Sequence, residues 1–106
     1  MKPQWQRKYE KLMVELSQVG FVCNGTLRET YQRCGKPSCA CATDDDQKHG
    51  PYYIWTATNK GKQTCRSFSK TQARSFDEYN RNYQKMKALV EQLCTLVVCA
   101  LLQDKQ

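Results

Sequence analysis

The sequence predicts an α+β fold: a small, zinc-stabilised, three-stranded antiparallel sheet flanked by an N-terminal helix and a long C-terminal dimerising helix. Three observations carry this. Apolar residues recur at alternating steps of three and four at both ends of the chain, β-rich runs broken by glycine turns lie between them, and a loop within that middle part gathers cysteines around the only histidine. At 106 residues the chain is enough for one small domain, 1–106, divided into a helix over 1–19, a zinc-binding β region over 20–69 and a long helix over 70–104. So short a chain buries a marginal share of its surface, which makes a stabilising metal or a partner subunit expected.

Over the first nineteen residues Trp5, Tyr9, Leu12, Leu16 and Val19 form one stripe, with Pro3 tolerated in the first turn and Gly20 ending the helix. Asn24-Gly25 favours a tight turn, and the β-branched and aromatic residues after it predict a strand from about Thr26 to Gln32. A Cys-rich loop follows, from Arg33 to Pro51. Beyond it YYIWTAT and KQTCRSFS flank Asn59-Lys60-Gly61, the pattern of a hairpin whose glycine takes the left-handed position. Ser69-Lys70-Thr71-Gln72 matches a capping box and starts the long helix. Along it Phe76, Tyr79, Tyr83, Met86, Val90, Leu93, Val97 and Ala100 hold a heptad seam. Its first half suits packing on the sheet. From Ala88 onward the helix is apolar around most of its circumference, which predicts a homodimer in which Val90, Leu93, Val97 and Ala100 pair across a two-fold axis while the N-terminal helices cover Leu89, Leu96 and Leu101. The apolar stretch reads as too short, and too closely preceded by Lys85 and Lys87, for a membrane span.

Cys34, Cys39 and Cys41 lie within eight positions, and His49 follows eight residues after the last. Three thiolates and an imidazole make a closed tetrahedral zinc site. Gly35 lets backbone N–H groups fold toward a thiolate, Pro37 stiffens the return, and Arg33 and Lys36 offset the negative charge. Cys-x4-Cys-x-Cys is not the usual pair of knuckles, so either His49 or Cys23 can complete the set, and an iron–sulfur cluster is the alternative if it is Cys23. Cys65, Cys94 and Cys99 read as packed side chains. The run Asp44-Asp45-Asp46 reads as solvated loop carboxylates. A closed site leaves no position for a catalytic water, and no phosphate loop, nucleophile elbow or deaminase pattern is present, so no enzyme is expected.

The 17 Lys and Arg against 10 Asp and Glu give a net charge of +7, and this charge is concentrated. Between residues 60 and 87, Lys60, Lys62, Arg66, Lys70, Arg74, Arg81, Lys85 and Lys87 face only Asp77 and Glu78. A polarised surface of this kind suits a phosphate backbone, with Lys60, Lys62, Arg66, Lys70, Arg74 and Arg81 as the expected contacts and no sequence preference. Either Tyr53 and Trp55 or Tyr52 and Ile54 are available for stacking on bases, since one alternate set of a strand must be core. The N-terminus lacks the apolar run of a secretory signal, which predicts a protein of the reducing cytoplasm.

The stretch YQRCGKPSCACA, Tyr31 to Ala42, with His49-Gly50-Pro51-Tyr52-Tyr53 and Gly61-Lys62, resembles a family of small uncharacterised prokaryotic proteins with a CGKxxCxCA…HGPYY core. The resemblance runs from about Gly25 to Leu93. It implies Cys34, Cys39, Cys41 and His49 as ligands, followed by a basic hairpin and a long helix, and its members look like companions of mobile elements and transposases. It implies no reaction. The expected function is a dimeric, zinc-binding, basic accessory protein that holds nucleic acid or helps a larger processing complex hold it. The alternative is a protein-interaction module whose apolar helix docks on a nuclease or transposase.

Overall fold

A computed structural model describes residues 2–103 and has the expected α+β architecture. The elements are α1 (Pro3–Ser17), β1 (Thr26–Gln32), β2 (His49–Asn59), β3 (Lys62–Phe68) and α2 (Lys70–Gln103), with short 3-10 turns at Ala40–Ala42 and Asp45–Gln47. Residues 1 and 104, the outer limits of the two expected helices, lie outside the described residues. The chain forms two compact units. One is Asn24–Asp77, and the other joins the N-terminal segment through Cys23 with the chain from Glu78 onward.

In the Asn24–Asp77 unit the strands pair antiparallel in the order β1-β2-β3. Leu27 stands opposite Trp55, and Tyr53 opposite Phe68. Successive side chains alternate between faces, and one face meets the first turns of α2. There Trp55 stacks on Phe68 with ring centroids 5.6 Å apart, and Phe68 lies 6.3 Å from Phe76. Ala57, Ala73 and Phe76 are buried beside them. Tyr52 and Ile54 therefore point to the opposite face. Gly25, at φ +108°, lets the chain enter β1 against the indole, since a Cβ there would lie 2.5 Å from Trp55 Nε1 and 2.7 Å from the Thr56 carbonyl oxygen. The close approach lets Trp55 Nε1 donate to the Asn24 carbonyl at 2.9 Å.

The β2–β3 hairpin turns through Lys60 and Gly61, both at positive φ. A two-residue loop with two left-handed residues matches the twist of the strands, so the left-handed demand falls on Lys60 as well as on the glycine. Ser69 and Gln72 form the expected capping box: Gln72 N donates to Ser69 Oγ at 3.1 Å, and Ser69 N donates to Gln72 Oε1 at 2.8 Å. β2 starts earlier than the sequence pattern indicates. Gln32 pairs with His49 after a register shift in β1, which draws the end of the Cys-rich loop into the sheet.

The other unit is helical. Gly20, at φ +95°, lies just beyond α1. The chain is then tied to α2 by Asn82 Nδ2 donating to the Phe21 carbonyl at 2.9 Å and Asn80 Nδ2 donating to the Cys23 carbonyl at 3.0 Å, with Phe21 edge-on to Tyr79. Val19, Leu89, Leu93 and Ala100 are buried, so two residues of the expected dimer seam, Leu93 and Ala100, already lie inside a single chain. Leu96 and Val97 are half-buried, while Val90, Val98, Leu101 and Leu102 are exposed. A groove of about 760 Å³ runs between Trp5, Leu12 and Glu15 of α1 and Glu91, Leu96 and Cys99 of α2. By length and composition α2 is long enough and apolar enough to cross a membrane, with a mean hydropathy of 1.5 over its most apolar window, where the sequence pattern alone read as too short.

Candidate metal centre

The loop between β1 and β2 is built around two turns that bring distant thiols back to its start. Gly35, at φ +85°, reverses the chain after Cys34. A turn closed by Cys39 N on the Lys36 carbonyl follows, and then a 3-10 turn in which Ala42 N bonds the Cys39 carbonyl. Cys41 is thereby carried inward and is fully buried. The Cys34 N–H itself donates to Cys41 Sγ at 3.4 Å. His49 arrives from the other side as the first residue of β2.

The donor atoms of Cys34, Cys39, Cys41 and His49 all lie within 4.8 Å of one another. Cys34 Sγ is 3.5 Å from Cys41 Sγ, and Cys39 Sγ is 3.4 Å from His49 Nε2. Ligands at about 2.3 Å from a tetrahedral zinc ion stand roughly 3.8 Å apart along each edge, and the four donors converge to within about an ångström of that spacing. They could hold a metal ion. Among the described residues this is the one group of three or more Cys, His, Asp or Glu so placed. Cys23, the alternative fourth ligand, is not among them. It belongs to the helical unit, where its backbone meets Tyr79 and Asn80.

The thiols are not equivalent. Hydrogen bonds from the Cys41 backbone N–H, and then from the Cys41 and Cys34 thiols, hold the Cys39 thiol below its ordinary pKa. Cys41 receives the Cys34 N–H, which lowers it, but burial and the neighbouring sulfurs outweigh this and push it up.

Arg33 has a larger role than charge compensation. Its Nε donates to the Cys41 carbonyl at 2.8 Å and its Nη2 pairs with Asp45, which also lies 3.6 Å from Lys48 Nζ. Asp44 caps the turn by accepting from Asp46 N at 3.0 Å. Two of the three aspartates expected to be merely solvated therefore brace the loop. Cys65, Cys94 and Cys99, expected to be packed, are exposed. Cys65 alternates away from the helix-side face, Cys94 lies on α2, and Cys99 borders the groove between α1 and α2.

Lys60, Lys62, Arg66, Lys70 and Arg74 all fall in the Asn24–Asp77 unit and Arg81 in the helical one; all six are exposed and none forms an ion pair among the described residues. They do not make one cluster. Lys60 sits in the hairpin turn and Lys62 and Arg66 on β3, whereas Lys70 and Arg74 border a hollow of about 340 Å³ shared with Leu27, Glu29, Tyr53 and Asp77. The two carboxylates there offset part of the positive charge.

No curated protein and no solved structure matches the chain. Residues 2–78, which include all four clustered donors and the three strands, match a family described as a domain of unknown function, DUF6788. With nearly three quarters of its length inside that match, the chain belongs to this uncharacterised DUF6788 family.

Proposed function

We propose that this chain is a zinc-stabilised basic accessory protein, dimeric through α2, that holds the backbone of nucleic acid or helps a larger DNA- or RNA-processing machine to hold it. The observation that carries the reading is the run of eight cations from Lys60 to Lys87, all exposed, with no ion pair among the described residues and with only Asp77 and Glu78 between them. Exposed unpaired cations release counterions when they meet phosphates, so binding is sequence-tolerant and weakens steeply with salt. The metal is zinc in this reading, because a converging set of three thiolates and one imidazole is the donor chemistry of structural zinc. A companion role to mobile elements fits the family resemblance. Gel shifts with duplex, single-stranded DNA and RNA test the proposal. Replacing Lys60, Lys62, Arg66 and Lys70 together by Glu abolishes the shift with metal content unchanged, and a wild-type protein that shifts none of the three at low salt defeats it.

A second reading has its own observation. Only 17% of the most apolar window of α2 is buried within the chain, and Val90, Val98, Leu101 and Leu102 face outward. This surface suits a second copy, or docking on a nuclease or transposase. Glu91, Gln92 and Thr95 interrupt it with polar groups, which favours a protein partner over lipid. Light scattering separates the cases. A dimeric mass that falls to a monomer in the Val90→Asp, Leu101→Asp double variant supports self-association, and a monomeric wild type at micromolar concentration rejects it.

A further inference from the structure

We propose that the sheet face turned away from the start of α2 is a platform for single-stranded nucleic acid, with Tyr52 as its stacking residue and Arg28 as its phosphate contact. This rests on the nucleic-acid reading above and names the substrate class. The opposite face is committed elsewhere, since Trp55 and Phe68 stack on each other and Phe68 meets Phe76. Alternation along β2 sends Tyr52 and Ile54 to the outer face, where Tyr52 remains 45% exposed. Register fixes its neighbours. Arg28 stands directly opposite Ile54, two residues from Tyr52 along β2, which makes Arg28 and Tyr52 diagonal neighbours about 7–8 Å apart at their backbones. Arg28 is exposed and forms no ion pair among the described residues.

Charge selects the ligand. The three strands contain one carboxylate, Glu29, and it lies on the other face, beside Leu27 and Tyr53 in the hollow below α2 and bonded to the Tyr31 hydroxyl. The outer face thus carries a cation, an accessible ring and hydroxyl side chains, with no anion to repel a phosphate. A ring lying on a sheet can stack only on a base whose face is free. A duplex hides its base faces in the helical stack, whereas a single strand offers them. Ring stacking and a phosphate contact read no base edge, so the platform accepts any sequence.

Fluorescence anisotropy of the metal-loaded full chain with labelled oligothymidylate, oligouridylate and a duplex of equal length tests this. Single strands bind more tightly than the duplex. Tyr52→Ala weakens their binding roughly 5- to 100-fold, Tyr52→Phe retains it, and Arg28→Gln reduces the salt slope by about one. A 5-iodouridine photocrosslink maps to the Tyr52 peptide, a readout that holds even if an Ala variant folds poorly. Preference for the duplex, wild-type affinity in Tyr52→Ala, or crosslinks confined to other peptides overturns the platform while leaving the basic-surface reading standing. Absence of binding to all three probes overturns both.

Discussion

The sheet unit and the helical unit solve the same problem in opposite ways. Among the described residues each buries four apolar side chains: Cys41, Ala57, Ala73 and Phe76 in the first, and Val19, Leu89, Leu93 and Ala100 in the second. In the sheet unit the small core is supplemented by directional interactions, namely two strand ladders, a stacked aromatic row and four converging donors braced by Arg33 and Asp45. In the helical unit the directional contacts are those that tie the segment after α1 to α2, the Asn80 and Asn82 amides on the Cys23 and Phe21 carbonyls. Its two helices rest on a narrow apolar seam and leave Val90, Val98, Leu101 and Leu102 in solvent. The Trp5 indole N–H is buried there without a hydrogen-bond partner among the described residues. A loop can replace missing core with bonds, but a helix has satisfied its own backbone and can replace it only with another apolar surface.

Metal removal gives the largest expected separation of the two units. On the zinc reading proposed above, chelation, or Cys41→Ala at the fully buried candidate ligand, removes a contribution on the order of 10 kcal/mol. Amide hydrogen exchange should then show β1–β3 losing protection while residues 85–100 retain most of theirs, and simultaneous loss in both places would show one cooperative unit instead of two. Leu93→Ala does the converse. Truncating a buried leucine in so thin a seam costs about 3 kcal/mol, with the cobalt-substituted absorption spectrum of the site unchanged. A Leu93→Ala protein with wild-type melting temperature breaks the claim that this seam holds the helices.

Gly25→Ala sharpens the account of the sheet unit, because the added methyl meets both Trp55 and the Thr56 carbonyl at a backbone angle that disfavours side chains. We expect a loss of about 2 kcal/mol, read from denaturant midpoints with metal content intact. Ser69→Ala has the smallest effect. It removes one half of the capping box at the start of α2, about 1 kcal/mol, and a thermal melt lowered by a few degrees checks it.

Much of this molecule was legible in local sequence. The strand at Thr26–Gln32, the hairpin around Asn59-Lys60-Gly61 and the helix start at Ser69 depend on turn and capping chemistry that acts over a few residues, and each lies where its residues imply. The candidate ligands were also legible, because thiols and a lone histidine in a Gly/Pro loop are a signal of composition and spacing. The braces of that site were not. Nothing in Asp44-Asp45-Asp46 tells that Asp45 pairs with Arg33, since the pair spans twelve residues and exists only once the loop has closed.

The sequence by itself determined the α+β class, the order of elements, and the residue types gathered for a metal, because periodicity, turns and donor chemistry are properties of neighbours along the chain. Tertiary structure alone decided which of two chemically equal sets was used. It placed His49 and not Cys23 with the three thiols, put Trp55 against Phe68 and left Tyr52 outside, and buried Leu93 and Ala100 while exposing Val90 and Leu101. Strand alternation and helical periodicity each define faces without saying which one is covered, and that choice is made by what the rest of the chain brings against them.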